Sequence, residues 1–374
     1  MSAAGVDRLL RDAYDGARFS AAVCLAAVNG EVIIDTSVGE LAAWSDDFKP
    51  IPPDERSPVT ATTLFDLASI TKTFSAHTAL SLVDAGQAEL DAPIGEILPS
   101  YHSGRRAAVT LRHLLAHTSG LPAEWLGWRA PLLASLSGSP EATRLTESPL
   151  LERRRQLLDD LLSTALGSEP GEEFVYSCAG YNTAMLYLEH ATGRPWPELV
   201  REHTLEPLGL TTLTVRPARQ AAVATEYEPV YRRGVVRGDA HDEAAWSLGG
   251  HAANAGLFGT GRDLLSFGEA ILWGGDRVRG DWMWGGLGLR IGDREWGAAT
   301  PRARTHIGFT GTLLHLDRES GTTIVLLTNR VHPSRESDIV DLRQAVVAAV
   351  LAGGHTPIDR GSDHPRSTGA VDSD

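Results

Sequence analysis

The sequence has almost no lysine and almost no cysteine. Lys49 and Lys72 are the only lysines among 34 basic residues, so arginine carries nearly all of the positive charge. Cys24 and Cys178 are the only cysteines. Two isolated thiols do not make the disulfide framework of a small secreted domain, and a reducing cytoplasm is the expected compartment.

Charge and hydropathy argue against two further classes of partner. The net charge is -14 and the pI is about 5.4, and such a surface repels the phosphates of nucleic acids. No apolar run reaches the ~18 residues that a membrane-spanning helix needs. Residues 1–10 lack a basic segment followed by an apolar one, so we expect no signal peptide and no membrane association.

Strand patterns lie at both ends of the chain. The apolar run 21–28 is followed by Asn-Gly and a second run at 31–35, which together are a strong hairpin signal. Further strands are predicted at 287–291, 306–310, 312–316 and 323–328. Helical patterns occupy 6–14, 69–84, 110–117, 150–166, 181–191, 263–272 and 338–351.

These patterns predict an α+β fold, an α/β sandwich whose antiparallel sheet is built from both termini and flanked by helices. Residues 1–85 and 235–352 would form the sheet domain, and residues 86–234 an inserted, mostly helical domain. A cleft between these parts would hold the functional site. Residues 353–374, rich in Gly, Ser, Asp and Pro, are predicted to be a disordered tail.

One of the two lysines lies three residues after a serine, where residues 69–72 read Ser-Ile-Thr-Lys at the start of a predicted helix. Residues i and i+3 share one face of a helix and can contact each other. Arginine stays protonated, whereas a buried lysine can be driven to the neutral amine and accept a proton. Ser69 and Lys72 are therefore a candidate nucleophile and base, although the motif alone arises easily by chance.

Two further motifs support the first. Residues 170–178 read Pro-Gly-Glu-Glu-Phe-Val-Tyr-Ser-Cys, and residues 305–312 read Thr-His-Ile-Gly-Phe-Thr-Gly-Thr. In order and spacing, the three motifs resemble those of the class C β-lactamase family, with its penicillin-binding-protein-like esterases and peptidases. The segments 111–121, 255–260 and 326–330 are also similar to that family, so the resemblance covers roughly residues 15–350.

The resemblance implies the predicted fold, no cofactor, and a role for individual residues. Ser69 would be the acylated nucleophile and Lys72 its base, while Tyr176 would pass protons to the leaving group. His306 would occupy the first position of the family's Lys-Thr-Gly strand. The backbone N–H groups of Ser69 and Phe309 would form the oxyanion hole.

The alignment of the third motif leaves two registers open. With His306 at the lysine position, Gly308 would lie in a strand whose backbone a substrate approaches closely. Residues 309–311, Phe-Thr-Gly, are the alternative equivalent of Lys-Thr-Gly. We prefer His306 because it supplies the polar side chain.

Cys178 and His306 depart from the family pattern. The family's tyrosine motif ends in asparagine, whose amide can bind a substrate amide and the lysine, and a thiol does both poorly. A neutral imidazole is likewise a weak anchor for a β-lactam carboxylate. Both departures favour esters over β-lactams and D-peptides, and Cys178 is expected to be a small side chain at the substrate site.

Tryptophans are candidates for substrate contact. Trp125 and Trp284, together with Trp128 and Trp282, would either line an apolar acyl pocket or belong to the core.

Two groups of polar residues have both a functional and a structural interpretation. His113 and His117 have a helical spacing that could hold zinc, but no acidic third ligand is apparent and we expect no metal. The segment 241–243, His-Asp-Glu, would lie on a polar loop, either at the rim of the cleft or in solvent.

The sequence therefore predicts a serine hydrolase, a monomer or homodimer, that forms an acyl-enzyme on Ser69 and acts on a small ester or amide. Three alternatives remain. Transfer of the acyl group to an acceptor other than water would make the protein an acyltransferase, peptide cyclase or thioesterase of a biosynthetic pathway. The others are a weak β-lactamase or D-peptidase, and a non-catalytic binding protein on the same fold.

Overall fold

A computed structural model describes residues 3–137, 145, 147–273, 277–291 and 303–353 of the chain. Its helices are α1 (Ala3–Asp15), α2 (Thr71–Asp84), α3 (Leu111–Leu115), α4 (Arg129–Leu136), α5 (Arg154–Ser163), α6 (Cys178–Thr192), α7 (Trp196–Val200), α8 (Glu243–Ser247), α9 (Gly261–Trp273), α10 (Arg277–Trp284) and α11 (Val340–Leu351). Its strands are β1 (Ala21–Val28), β2 (Glu31–Gly39), β3 (Phe65–Asp66), β4 (Ala224–Glu228), β5 (Gly234–Arg237), β6 (Phe258–Gly259), β7 (Arg290–Ile291), β8 (Arg304–Ile307), β9 (Leu313–Asp317) and β10 (Thr322–Thr328). The predicted disordered tail lies, beyond residue 353, outside the described residues.

One antiparallel sheet has the strand order β2-β1-β10-β9-β8-β7. Two neighbouring inner strands come from opposite ends of the chain, since β1 pairs with β10 along its length, Val28 opposite Thr322. The β1–β2 hairpin turns at Asn29 and Gly30, whose φ angles of 53° and 85° match the residue types that tolerate positive φ. The prediction of one antiparallel sheet built from both termini is confirmed.

Helices cover both faces of this sheet. Side chains of β1 alternate between two hydrophobic clusters, with Val23 and Leu25 in one and Cys24 in the other. Helices α1 and α11 pack against each other on the Cys24 face, while α9 contacts β1 and β10. Because both faces are covered, every residue of β1 is buried, which explains its continuous apolar run. Burial raises the pKa of the Cys24 thiol to about 12.

Helix α2 belongs to the hydrophobic cluster that contains Val23 and Leu25 of β1. Phe74 of α2 stacks on Phe267 of α9 with the ring centres 3.9 Å apart, and α2 also contacts α6, α7 and α10. It is buried without interruption from Thr71 to Leu82. No described helix has the combination of length and apolar character that crossing a membrane requires.

The sequence prediction differs from the structure mainly in the short elements. Strand β8 ends at Ile307 because Gly308 begins a turn, in which the Gly311 N–H donates to Gly308 O. The strand predicted at 306–310 is therefore displaced to Arg304–Ile307. The strand predicted at 287–291 is shorter, Arg290–Ile291. Strands β4 and β5 form a hairpin that the pattern of residues did not predict. Helix α8 lies in the region expected to be loop, and begins where Asp242 accepts a hydrogen bond from the Ala245 N–H.

Asn329, which directly follows β10, connects the two ends of the chain. Its Oδ1 accepts hydrogen bonds from the backbone N–H groups of Ser20 at 3.0 Å and Ala21 at 2.8 Å. Its Nδ2 donates to Ser20 Oγ and to Ala224 O, both at 2.8 Å. The side chain is completely buried, so these bonds form away from water and fix the start of β1 against the end of β10.

We expect Asn329→Leu to be strongly destabilising, because it leaves two N–H groups and one carbonyl of this connection without partners. Each buried polar group that loses its partner costs ~1–3 kcal/mol, so the free energy of unfolding should fall by about 3 kcal/mol or more in urea. As a control, Gln87→Leu removes an amide at an exposed position and should change it by less than about 0.5 kcal/mol. Similar values for the two variants would contradict the connecting role of Asn329.

Candidate active site

Ser69 lies at the centre of a 3₁₀ turn, Ala68–Ile70, that leads directly into α2. The turn is held by Asp66, whose Oδ1 accepts a hydrogen bond from the Ala68 N–H at 2.8 Å. Ala68 has a φ of 47°, a left-handed conformation that costs a residue other than glycine about 1–3 kcal/mol. Ala68 and Ile70 are buried and Ser69 is only partly so, which leaves its hydroxyl open to a substrate.

Lys72 is completely buried one turn after Ser69. Its Nζ donates to Ser69 Oγ at 3.0 Å and to the backbone oxygen of Asn254 at 2.9 Å. The same nitrogen lies 5.0 Å from the centre of the Tyr176 ring. The structure thus brings the serine, the lysine and the tyrosine of the first two motifs together at one point.

The pKa values in this group differ from the sequence-based expectation of a neutral lysine. Burial lowers the pKa of Lys72, but electrostatic interactions with Cys178, Tyr176 and Asp242 outweigh burial, and the pKa of Lys72 is raised. The pKa of Tyr176 is also raised, because burial outweighs the opposing effects of Lys72 and Ser69. Both pKa values thus lie above the ordinary values of the two groups, whereas burial alone would lower the pKa of a lysine.

The ring of His117 packs against the ring of Tyr176. Its ring centre lies 4.6 Å from that of Tyr176, and its Nδ1 accepts a hydrogen bond from the Ser177 N–H at 3.0 Å. His113 instead completes the N-terminal cap of α3 with Thr110. The two histidines that could have shared a metal ion thus have separate structural partners.

The structure also brings His306 to the tyrosine. The centre of its ring lies 6.1 Å from that of Tyr176, and its Nδ1 lies 3.0 Å from Ile307 O. Burial, with the nearby charges of Lys72 and Arg290, lowers the pKa of His306 to about 3. The imidazole is therefore neutral across the physiological range.

Arg290 supplies the positive charge that His306 lacks. It pairs with Thr305 in the neighbouring strand, and its guanidinium carbon lies 5.0 Å from the Phe174 ring centre and 5.8 Å from that of Tyr176. Arg290 is not among the site residues predicted from the sequence. Its only signal is a basic residue in a predicted strand that precedes the third motif.

Two pockets lie beside these side chains. A cleft of about 370 Å³ is lined by His117, Phe174, Arg290, His306 and the glycine-rich segment 285–288. The residues that line a smaller pocket of about 70 Å³ include Trp125, Trp128, Cys178 and Asn254. Trp125 thus contacts a pocket, as expected.

Trp284 differs from the expectation of pocket lining. It is not among the residues that line either pocket, and its ring lies 4.3 Å from the guanidinium carbon of Arg318 and 5.0 Å from that of Arg304. These two contacts explain its position, because an arginine stacks favourably on an indole face.

The turn after β8, which contains Phe309, is bonded to the segment that precedes Ser69. Thr310 Oγ1 donates to Asp66 O at 2.8 Å, and Thr312 Oγ1 donates to Leu67 O at 3.1 Å. These bonds hold together the two segments whose backbone N–H groups are predicted to form the oxyanion hole.

Gly308 is required by this contact. A Cβ atom at Gly308 would lie 2.1 Å from Thr312 Oγ1 and 2.6 Å from Leu67 O. The sequence predicts that a substrate approaches the backbone at Gly308. In the structure, the Leu67 segment of the same chain makes this close approach.

The segment 241–243 supports the same turn and is not a solvated loop. The ring of His241 stacks on that of Phe309 with the centres 5.6 Å apart, and its backbone N–H donates to Asp66 Oδ2 at 2.7 Å. Its Nε2 lies 2.9 Å from Glu226 Oε2. One histidine therefore contacts the Phe309 turn and, through Asp66, the Ser69 turn.

Comparisons with known proteins give a family and two curated relatives. The protein family described as Beta-lactamase matches residues 6–349. A putative D-alanyl-D-alanine carboxypeptidase of Escherichia coli (strain K12) is 29% identical over an alignment of 324 positions, which covers 74% of this chain and 71% of that protein. Esterase EstB of Burkholderia gladioli is 29% identical over 395 residues, covering 92% of this chain and 95% of the esterase.

Solved structures agree in fold. EstCE1, described as a hydrolase with promiscuous acyltransferase activity, has a TM-score of 0.67 at 21% identity, covering 93% of this chain and 98% of its own. A class C β-lactamase has a TM-score of 0.67 at 17% identity, covering 92% and 97% of the two chains.

The raised pKa values predict a rate that increases with pH. Either Lys72 or Tyr176 must lose a proton before it can accept the proton of Ser69, and the fraction that has done so rises about tenfold per pH unit below the pKa. We therefore expect kcat/KM for p-nitrophenyl butyrate to rise from about pH 6 to about pH 9, while the neutral His306 causes no inflection in that range. A rate that falls over this interval, after subtraction of the Ser69→Ala background, would contradict this assignment of protons.

Proposed function

The chain belongs to the β-lactamase family of serine hydrolases, as its motifs predict, and we propose that it is an esterase that forms an acyl-enzyme on Ser69. The observation that carries the proposal is the hydrogen bond from Lys72 Nζ to Ser69 Oγ, at 3.0 Å in a site where the lysine is completely buried. A base side chain within hydrogen-bond distance of a partly exposed serine is an arrangement that activates the serine as a nucleophile.

In the proposed reaction, Ser69 Oγ attacks the ester carbonyl carbon while its proton passes to the Lys72–Tyr176 pair. The N–H groups of Ser69 and Phe309 would stabilise the oxyanion of the tetrahedral intermediate, and such donors contribute ~3–4 kcal/mol each. Tyr176 then gives a proton to the leaving alcohol as the C–O bond breaks. Attack by water on the acyl-enzyme releases the acid and restores the Ser69 hydroxyl.

Two observations favour esters over amides and β-lactams. Cys178 occupies the family's asparagine position, and a thiol binds an amide poorly. Esterase EstB, which is 29% identical along 95% of its length, supports the same substrate class. The description of EstCE1 supports transfer to an acceptor other than water as a side reaction of the same acyl-enzyme.

Arg290 favours a second candidate, a D-peptidase or weak β-lactamase. Its guanidinium is in the cleft that contains His306, and arginine binds carboxylates through two parallel hydrogen bonds. The Escherichia coli relative is described as a putative D-alanyl-D-alanine carboxypeptidase, and a substrate of that kind ends in a carboxylate.

Ser69→Ala should abolish both the burst and the turnover of p-nitrophenyl butyrate. Lys72→Arg should lose at least about 1,000-fold in kcat/KM, as much as Lys72→Ala, because arginine does not give up its proton. The same exchange at the exposed Lys49 is the matched control and should retain activity. Intact-mass spectrometry should detect one fluorophosphonate adduct in the wild type and none in Ser69→Ala. An active Lys72→Arg variant would refute the base role, and an adduct on Ser69→Ala would refute the nucleophile.

The second candidate is tested with two esters that differ only in a carboxylate on the leaving group, 3-acetoxybenzoate and phenyl acetate. Arg290→Leu should lower kcat/KM for 3-acetoxybenzoate by about tenfold or more and leave phenyl acetate nearly unaffected, since a hydrogen bond to a charged group contributes ~1.5–3 kcal/mol. Arg8→Leu, at an exposed position of α1 on the other face of the sheet, is the control. Equal losses for the two esters would remove the support that Arg290 gives to carboxylate substrates.

A further inference from the structure

The side-chain carboxamide of Asn254 is buried, and no hydrogen bond within the described part of the chain replaces its lost hydration. Its exposed fraction is 0%, and neither Oδ1 nor Nδ2 has a hydrogen-bond partner among the described residues. Asn329 is equally buried, but four hydrogen bonds satisfy its carboxamide. An unpaired buried amide costs ~1–3 kcal/mol, and a bound ligand is one way in which such a cost is recovered.

The backbone of Asn254 is fixed inside the candidate active site. Its carbonyl oxygen accepts the hydrogen bond from Lys72 Nζ at 2.9 Å, and its N–H donates to Asn182 Oδ1 at 3.1 Å. Asn182 lies on α6 one turn after Cys178, on the same face of the helix. The main chain at residue 254 is thus bonded on one side to the catalytic lysine and on the other to the helix that begins with Cys178.

A pocket of about 70 Å³ adjoins this side chain, and its walls combine aromatic rings with carboxylates. The residues that line it include Trp125, Trp128, Cys178, Asp242, Glu243 and Asn254. The Trp125 ring is fixed, because its Nε1 donates to Asp160 Oδ2 at 2.7 Å. The pocket is large enough for a group of only a few atoms, and its carboxylates can accept hydrogen bonds.

The two pockets receive different parts of a substrate. Tyr176, the proposed proton donor to the leaving group, packs against His117 and His306, which line the larger cleft. A leaving group that takes its proton from Tyr176 would therefore lie in that cleft. The smaller pocket, lined by Cys178 and Asn254, would then receive the acyl group.

We propose that Asn254 is a specificity-determining residue that binds a primary amide on the acyl group of the substrate in this pocket. Its Nδ2 donates to the amide oxygen and its Oδ1 accepts from the amide nitrogen, while Asp242 and Glu243 are further acceptors. The inference rests on the proposed acyl-enzyme and names the substrate class, an ester whose acyl chain ends in a carboxamide.

Two esters of equal size and shape test the inference, p-nitrophenyl succinamate and p-nitrophenyl 4-methylpentanoate. The wild type should prefer succinamate in kcat/KM by about tenfold or more, because a site built to hydrogen-bond a group discriminates against the analogue that lacks it. Asn254→Leu and Asn254→Ala should both lower this preference by about tenfold or more. Gln87→Leu, which removes an exposed amide, should leave the preference unchanged.

Urea unfolding provides a second readout that an ordinary structural role would not produce. Removing an unpaired amide should shift the unfolding midpoint of Asn254→Leu to higher urea, whereas the matched Asn329→Leu shifts it to lower urea. A midpoint at lower urea for both Asn254 variants would overturn the inference. Equal kcat/KM for the two esters in the wild type, or an unchanged preference in both Asn254 variants, would also overturn it and leave the esterase proposal intact. Failure of the wild type to hydrolyse either ester would refute the proposed function itself.

Discussion

Lys72 carries its charge in the interior of the protein, and the residues around it are arranged to compensate that charge. A buried ammonium is very unfavourable unless acceptors and opposite charges replace the water that it has lost. Here the Ser69 hydroxyl and the Asn254 carbonyl are the acceptors, the Tyr176 ring lies beside the nitrogen, and Asp242 adds negative charge nearby. Because these groups come from separate segments of the chain, the requirements of one side chain fix the relative positions of α2, α6 and the loop before β6.

Features that depend on local pattern could be predicted from the sequence. The Asn-Gly hairpin, the apolar strand β1 and the i, i+3 contact of Ser69 with Lys72 each follow from short-range rules. The fold class was predictable because the strand patterns fall at the two ends of the chain and the helical patterns between them. The grouping of Ser69, Lys72, Tyr176 and His306 came from the spacing of three motifs and their resemblance to a known family.

The remaining features depend on contacts between distant residues. Arg290 reaches the site only because β7 pairs with β8, and His241 supports Phe309 only because Asp66 accepts its N–H. The pKa of Lys72 is raised by electrostatic interactions with Cys178, Tyr176 and Asp242, residues that are distant from it in sequence, so burial alone does not predict the direction of the shift. The hairpin of β4 and β5 was missed because these strands are short and interrupted by a register shift.

The pairing of β1 with β10 has a consequence for synthesis of the chain on the ribosome. The hairpin of β1 and β2 emerges early, but the strand that covers the second edge of β1 ends at Thr328, about 300 residues later. At ~5–20 residues per second, that edge and its apolar side chains stay uncovered for at least ~15 seconds of translation. A nascent chain of this length presents an unpaired apolar strand, which is the kind of surface that holding chaperones bind.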